Sequence, residues 1–128
     1  MSSAVLDASA VLAVINAEPG SEKLTPELLD HAAVSTVSLA EVEGKLVSWG
    51  WALDDAWEDA CGMVREVVPF TIDHAETTGN LIAQTRSLGL SLGDRACLAL
   101  ALDLKAPVYT ADRTWKGLKL GVRIHVIR

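Results

Sequence analysis

Short apolar runs alternate with longer stretches whose apolar positions repeat at helical spacing, and this pattern holds along the whole chain. Ala4 to Leu6 reads as a strand ending at Asp7. Val11, Leu12 and Ile15 then predict a helix from Ala8 to Asn16. Glu18-Pro19-Gly20 breaks the chain, and Ser21 to His31 reads as a second helix with Pro26 near its first turns. Ala32 to Val37 is a β-branched run and predicts the second strand. Leu39, Val42, Leu46 and Trp49 share one face of a helix from Ser38 to Trp51. Another helix follows from Leu53 to Val64, opened by Asp54 or Asp55. Val67 to Thr71 predicts a third strand, and Asp73 to Leu88 one long helix ended by Gly89. Ser91 to Leu104 is helical and nearly all apolar after its first turn. Ala106 to Thr110 and Val122 to Ile127 complete five strands.

Strands that are short, apolar and separated by helices predict a parallel sheet covered on both faces. The expected fold is therefore one three-layer α/β/α domain over residues 1–128 with a central five-stranded parallel sheet. No internal repeat, low-complexity tract or linker interrupts it. A chain of 128 residues buries roughly two-thirds of its unfolded surface, so staples are not required.

Composition changes this picture little. Half of the residues are apolar, mainly Ala, Leu and Val, which fits a packed globule rather than a disordered chain. No apolar run reaches the length that spans a bilayer, and no basic segment precedes the first apolar stretch, so neither a membrane span nor a secretory signal is expected. Cys61 and Cys97 stand singly, without metal-ligand spacing, and read as buried free thiols in a reducing, cytoplasmic setting. The net charge of −6 weighs against a nucleic-acid binder held by bulk electrostatics. It is compatible with one whose carboxylates hold cations that meet the phosphates.

Four acids carry the candidate chemistry. Asp7 follows the first strand, Glu41 lies in the first turn after the second, and Asp112 lies two residues past the fourth. Asp94 opens the helix that returns to that fourth strand. In an open parallel sheet the functional crevice lies outside the carboxyl ends of the strands, and all four acids can converge on that rim. Clustered carboxylates raise one another's pKa unless a cation is present, and hard oxygen ligands suit Mg²⁺ or Mn²⁺. Each acid also has a purely structural reading. Asp7 is a favoured N-cap residue, Ser38 to Glu41 and Ser91 to Asp94 match capping boxes, and Asp112 could close a turn.

Val5-Leu6-Asp7-Ala8-Ser9-Ala10, Ser38-Leu39-Ala40-Glu41-Val42, Leu92-Gly93-Asp94-Arg95 and Thr110-Ala111-Asp112-Arg113 with Trp115 resemble, in order and approximate spacing, the motifs of PIN-domain toxins of the VapC type. The resemblance spans essentially the whole chain. It implies a Mg²⁺- or Mn²⁺-dependent endoribonuclease, the toxin of a toxin–antitoxin pair, restrained by an antitoxin that covers the active-site rim. It also implies RNA as substrate and a homodimer. By the same resemblance Asp7 and Asp94 are the principal metal ligands, Asp112 completes the coordination, and Glu41 orients a water or helps activate the nucleophile. Ser9 and Thr110 support the acids through hydrogen bonds.

Other residues carry weaker signals. Arg95 and Arg113 each follow a proposed catalytic acid and are candidates for phosphate contact or local ion pairs. Lys116 and Lys119 read as solvated surface. Trp49, Trp51 and Trp57 suit apolar packing or a partner groove, and Trp115 suits packing near the site mouth. His31, His74 and His125 share no spacing and are not expected to serve as ligands or bases, and Asp103 reads as surface. Two competing functions remain: a PIN-like module that holds RNA or protein without cutting, and a receiver-like phospho-acceptor domain. The second lacks an acid pair near the start and a lysine after the last strand.

Overall fold

A computed structural model describes residues 2–128. Five strands, β1 (Ala4–Leu6), β2 (Ala32–Ser35), β3 (Glu66–Val68), β4 (Val108–Thr110) and β5 (Ile124–Val126), form one sheet in the order β3-β2-β1-β4-β5, every pair parallel. The three-layer fold read from the hydrophobic pattern is the one observed. β1 is central, with Val5 in register with both Ala33 and Val108. From β1 the chain builds outward to β2 and β3, then crosses back and builds β4 and β5 on the other side. The strand order therefore reverses between β1 and β4.

The helices are α1 (Ala8–Ile15), α2 (Pro26–Leu29), α3 (Thr36–Ser48), α4 (Leu53–Gly62), α5 (Ile72–Asn80), α6 (Ile82–Thr85) and α7 (Leu92–Leu104). Successive side chains of a strand point to opposite faces, so the three residues of β1 feed two cores. Ala4 and Leu6 pack with Val11, Leu12, Val42 and Leu46 beneath α1, α3 and α4. Val5 packs with Leu98, Leu100, Val108 and Trp115 beneath α7. Each core is closed by a different set of crossovers, and β1 belongs to both.

Several boundaries differ from the sequence expectation, and four of these differences have a local reason. β2 stops at Ser35, whose hydroxyl accepts from Val37 N at 3.1 Å, so α3 begins at Thr36. The capping box expected at Ser38–Glu41 does not form, and Glu41 lies in the second helical turn rather than the first. β3 ends at Val68 because Pro69 has no N–H for the ladder, and Thr71 instead forms a capping box with His74 at the start of α5. The long helix expected from Asp73 to Leu88 divides into α5, α6 and a 3₁₀ turn at Arg86–Leu88 before Gly89 at φ 66°. The Thr78 carbonyl at the end of α5 accepts from Arg95 Nη1 at 2.8 Å, which engages a backbone acceptor where the helix fails. The expected helix from Ser21 to His31 is a 3₁₀ turn at Ser21–Lys23 followed by α2, with Thr25 as its N-cap and Pro26 in its first turn.

The carboxyl end of the chain is held where Gly20, at φ 93°, approaches the backbone of Ile127. A Cβ at this position would fall 2.3 Å from the Ile127 carbonyl oxygen. Ile127 N in turn donates to Thr110 O at 2.9 Å, and Arg128 pairs with Glu18 at 2.8 Å. Gly20→Ala combines a left-handed backbone with a collision against main chain, which cannot rotate away. Its unfolding free energy should fall by about 2 kcal/mol or more in urea titration. A variant as stable as wild type would show that the 16–20 turn and the terminal strand are not coupled in this way.

Candidate active site

The carboxyl edge of the sheet at the β1/β4 reversal is where a ligand crevice forms in open α/β sheets, and Asp7 stands there. It leaves β1 and caps α1 in extended conformation. Its Oδ1 accepts from Ala10 N at 2.8 Å and from Ser9 Oγ at 2.7 Å, and its Oδ2 accepts from Thr110 Oγ1 at 2.5 Å. The residue is only 3% exposed. Burial above all, and the nearby charge of Asp94, raise its carboxyl, the bonds from Thr110, Ser9 and Ala10 pull it down, and the balance lies at about 6.

The same hydroxyls reach across to the loop after β4. Ser9 Oγ accepts from Ala111 N at 2.9 Å, and Thr110 Oγ1 accepts from Asp112 N at 3.0 Å. One network thus fixes Asp7 and the backbone of Asp112 together. Asp112 caps the 3₁₀ turn Arg113–Trp115, with Oδ1 accepting from Thr114 N and Thr114 Oγ1 at 2.9 and 2.8 Å. Trp115, fully buried in the second core, anchors that turn.

Asp94 lies in the first turn of α7. Its Oδ2 accepts from Ser91 N at 2.9 Å, and Ser91 Oγ accepts from Asp94 N at 3.1 Å. The capping box expected here is formed, and it ties up one carboxylate oxygen. Glu41 reaches α7 from α3, its carboxylate packed against Gly93. Partial burial raises the Glu41 carboxyl, Asp94 raises it further, and Lys45 opposes both. Beneath them Cys97 is fully buried. Burial, then the charges of Asp7, Asp94 and Glu41, push its thiol well above the ordinary range, so it stays protonated.

The structure therefore couples Asp7, Asp94 and Glu41 electrostatically and ties Asp112 to Asp7 through Thr110 and Ser9. Among the described residues no three His, Cys, Asp or Glu side chains stand close enough together to enclose a metal ion. The two arginines separate. Arg95 is turned inward against α5, its Nη1 on Thr78 O and its Nε buried without a partner. Arg113 is exposed and donates from Nε to Arg128 O at 3.1 Å. Lys116 and Lys119 are exposed. Cys61 and Cys97 are free thiols, Cys97 buried and Cys61 partly so.

Two features had no sequence signal. Asp103, read as plain surface, pairs with buried His74, Nε2 to Oδ2 at 2.8 Å, while His74 Nδ1 accepts from Thr71 N. This locks α5 onto α7 and is structural, not part of the acidic rim. The seat of Glu41 at Gly93 is equally invisible in sequence, because it depends on how α3 meets α7.

Fold and site together define a class: a doubly wound parallel domain whose switch point is rimmed by carboxylates. The PIN domain profile matches residues 4–119, and the chain belongs to the PIN-domain family. Solved structures share the fold over nearly the full length. VapC20 of Mycobacterium tuberculosis, described as a sarcin-ricin loop cleaving toxin, superposes with a TM-score of 0.75 at 20% identity, covering 94% of this chain and 99% of that one. DNA-bound VapBC from Salmonella typhimurium gives 0.73 at 18% identity, covering 97% of each chain. VapBC-5 from Mycobacterium tuberculosis gives 0.62 at 24% identity, covering 98% of each. The sequence matches none of the curated proteins with which it was compared. No helix among the described residues is long and apolar enough to cross a membrane.

The raised Asp7 carboxyl has a measurable consequence. Its native pKa of about 6 lies above its ordinary value of 3.8, so the native state holds a proton that the unfolded state releases. The associated stability is fully present below about pH 3.8 and is lost as pH rises through about 6. The difference corresponds to about 3 kcal/mol. In Asp7→Asn the amide nitrogen can donate to Thr110 Oγ1, and no charge is buried. In EDTA, the stability of Asp7→Asn relative to wild type should grow by about 2.5 kcal/mol between pH 4 and pH 8. A relative stability independent of pH would contradict the raised pKa.

Proposed function

We propose that this chain is a divalent-metal-dependent endoribonuclease and the toxin of a toxin–antitoxin pair. The observation that carries the reading is a buried carboxylate, Asp7, held at the switch point beside a second acid, Asp94, with Glu41 coupled to the same acid. Burying like charges together is unfavourable unless a cation relieves them. The donor types suit a hard cation such as Mg²⁺ or Mn²⁺, since they are carboxylate oxygens with hydroxyls behind them, and the acids, which do not already enclose an ion, would draw together around it. Asp7 and Asp94 would hold the ion and Asp112 would complete its oxygen ligands. When bound, the ion supplies charge neutralisation at the phosphoryl oxygens and lowers the pKa of water.

The chain's own residues then orient and move protons. Thr110 and Ser9 hold the Asp7 carboxylate in one orientation. Glu41, with its carboxyl raised, is matched to accept a proton from the attacking water. The water oxygen bonds to phosphorus, the P–O3′ bond breaks with O3′ taking a proton from solvent water, and the products are a 5′-phosphate and a 3′-hydroxyl. Arg113, exposed beside Asp112, is available to the RNA backbone. The alternative of a module that binds without cutting retains no use for the raised carboxyls.

RNA as substrate is supported by the sarcin-ricin loop cleaving toxin that shares the fold. An antitoxin partner is supported by an uncovered apolar surface on α3 and α4. Trp49, Leu53 and Trp57 are 52, 66 and 51% exposed there, a surface suited to the apolar face of a helix. Ile72, Ile82, Leu88 and Leu92 form further exposed apolar positions available to a second copy of the chain.

The test is cleavage of total cellular RNA by the purified chain with Mn²⁺, compared with EDTA and with Asp94→Asn. Asparagine can still accept from Ser91 N, so the helix cap survives. Cleavage should require the metal, fall about 100-fold or more in the variant, and leave 5′-phosphate ends. Wild type that binds Mn²⁺ but cuts nothing would favour the non-cleaving module. A 2′,3′-cyclic phosphate product would exclude attack by water.

A further inference from the structure

Gly93 is buried in the first turn of α7, with no positive φ to explain a glycine. Alanine would favour a helix by about 1 kcal/mol here, so the residue weakens the element it belongs to. What it provides is space. A Cβ on Gly93 would fall 1.6 Å from Glu41 Oε1, 2.5 Å from Cδ and 3.1 Å from Oε2. All three nearest atoms belong to one carboxylate, and no backbone atom is among them. The other helical glycines, Gly44, Gly62 and Gly79, have nothing within 4 Å of such a Cβ. The close approach is therefore particular to position 93, next to Asp94.

We propose that Gly93 is a positioning residue whose missing side chain seats the Glu41 carboxylate against the first turn of α7, beside Asp94. The seat stands on geometry alone. Its consequence for metal and RNA rests on the nuclease reading above. A methyl group at position 93 would meet the mobile end of Glu41 rather than main chain, so the carboxylate is what yields. Glu41 would then swing away from Asp94 while the fold persists.

The experiment uses the full chain as Gly93→Ala, Glu41→Ala and the double variant. Melting temperature is read in EDTA, Mn²⁺ affinity by calorimetry, and cleavage on RNA. Gly93→Ala should melt no lower than wild type, yet bind Mn²⁺ about tenfold more weakly and cut correspondingly more slowly. In the Glu41→Ala background the same change should alter neither affinity nor cleavage, because the group it displaces is gone. A merely structural glycine would move melting temperature and leave that coupling at zero. Wild-type affinity and cleavage in Gly93→Ala would overturn the proposal, as would an effect that persists without Glu41. A collapse in melting temperature would also overturn it, since the backbone would then be what yields. If wild type neither binds Mn²⁺ nor cuts RNA, the nuclease reading fails, and the crystal structure of Gly93→Ala decides the seat separately. A displaced carboxylate supports it, and one still packed on α7 refutes it.

Discussion

The bond from Thr110 to the Asp7 carboxylate is the constraint on which the site depends. It joins the ends of β1 and β4, which are adjacent in the sheet and far apart in the chain. The two strands meet where the strand order reverses, so no helix covers their carboxyl ends directly. Ser9 doubles the link, donating to Asp7 and accepting from Ala111 N. A hydroxyl can do both at once because it carries one donor and two acceptor positions. Neither an amide nor a thiol would serve as well in so small a space. The result is a carboxylate whose position is set by two strands and one helix start, with little freedom to relax when charged.

That rigidity explains why the electrostatics are unfavourable in isolation. Asp7 receives three hydrogen bonds, each favouring the ionised form, yet burial outweighs them and the carboxyl is raised. Asp94 adds like charge instead of relief, and Glu41 is raised by the same neighbour. No lysine or arginine pairs with Asp7 or Asp94 among the described residues. Arg95, the nearest in sequence to Asp94, is spent on Thr78 O across the α5–α7 contact. Lys45 offsets charge at Glu41 alone, so Asp7 and Asp94 stand without a cationic side chain of their own.

Much of this was legible in sequence, and the losses have physical causes. The five strands and their parallel pairing followed from short apolar runs between helices, but their order in the sheet did not. The edge on which Asp7 and Asp112 fall followed as well. Helix boundaries did not follow where two local preferences competed. Ser35 and Ser38 are both plausible caps, and the choice fell to Ser35 because the pairing of β2 with β3, through Ala33, Val34 and Ser35, ends there. Thr36 and Val37, β-branched and strand-like, were drawn into α3 as a consequence. The break after α5 likewise coincides with a bond from Arg95, a residue of another helix, to the Thr78 carbonyl. Pairings such as His74 with Asp103 join positions whose only relation is the packing of α5 on α7, and no spacing rule reaches them.

The first turn of α7 shows how one short segment serves several demands at once. Ser91 and Asp94 cap each other, which fixes one oxygen of Asp94 and leaves the other uncommitted. Gly93 admits a carboxylate from α3. Ala96 and Cys97 then turn inward, fully buried, and begin the run that covers the sheet through Leu98 and Leu100. A polar first turn and an apolar remainder are what a helix needs when its start lies at a charged rim and its body lies on a core. The same arrangement makes the rim sensitive to the core. Any shift of α7 along β1 moves Asp94 relative to both Asp7 and Glu41. The α5–α7 contact, held by Arg95 on Thr78 and by His74 on Asp103, resists that shift from the outer side. Residues with no chemistry of their own therefore set the spacing of those that have it.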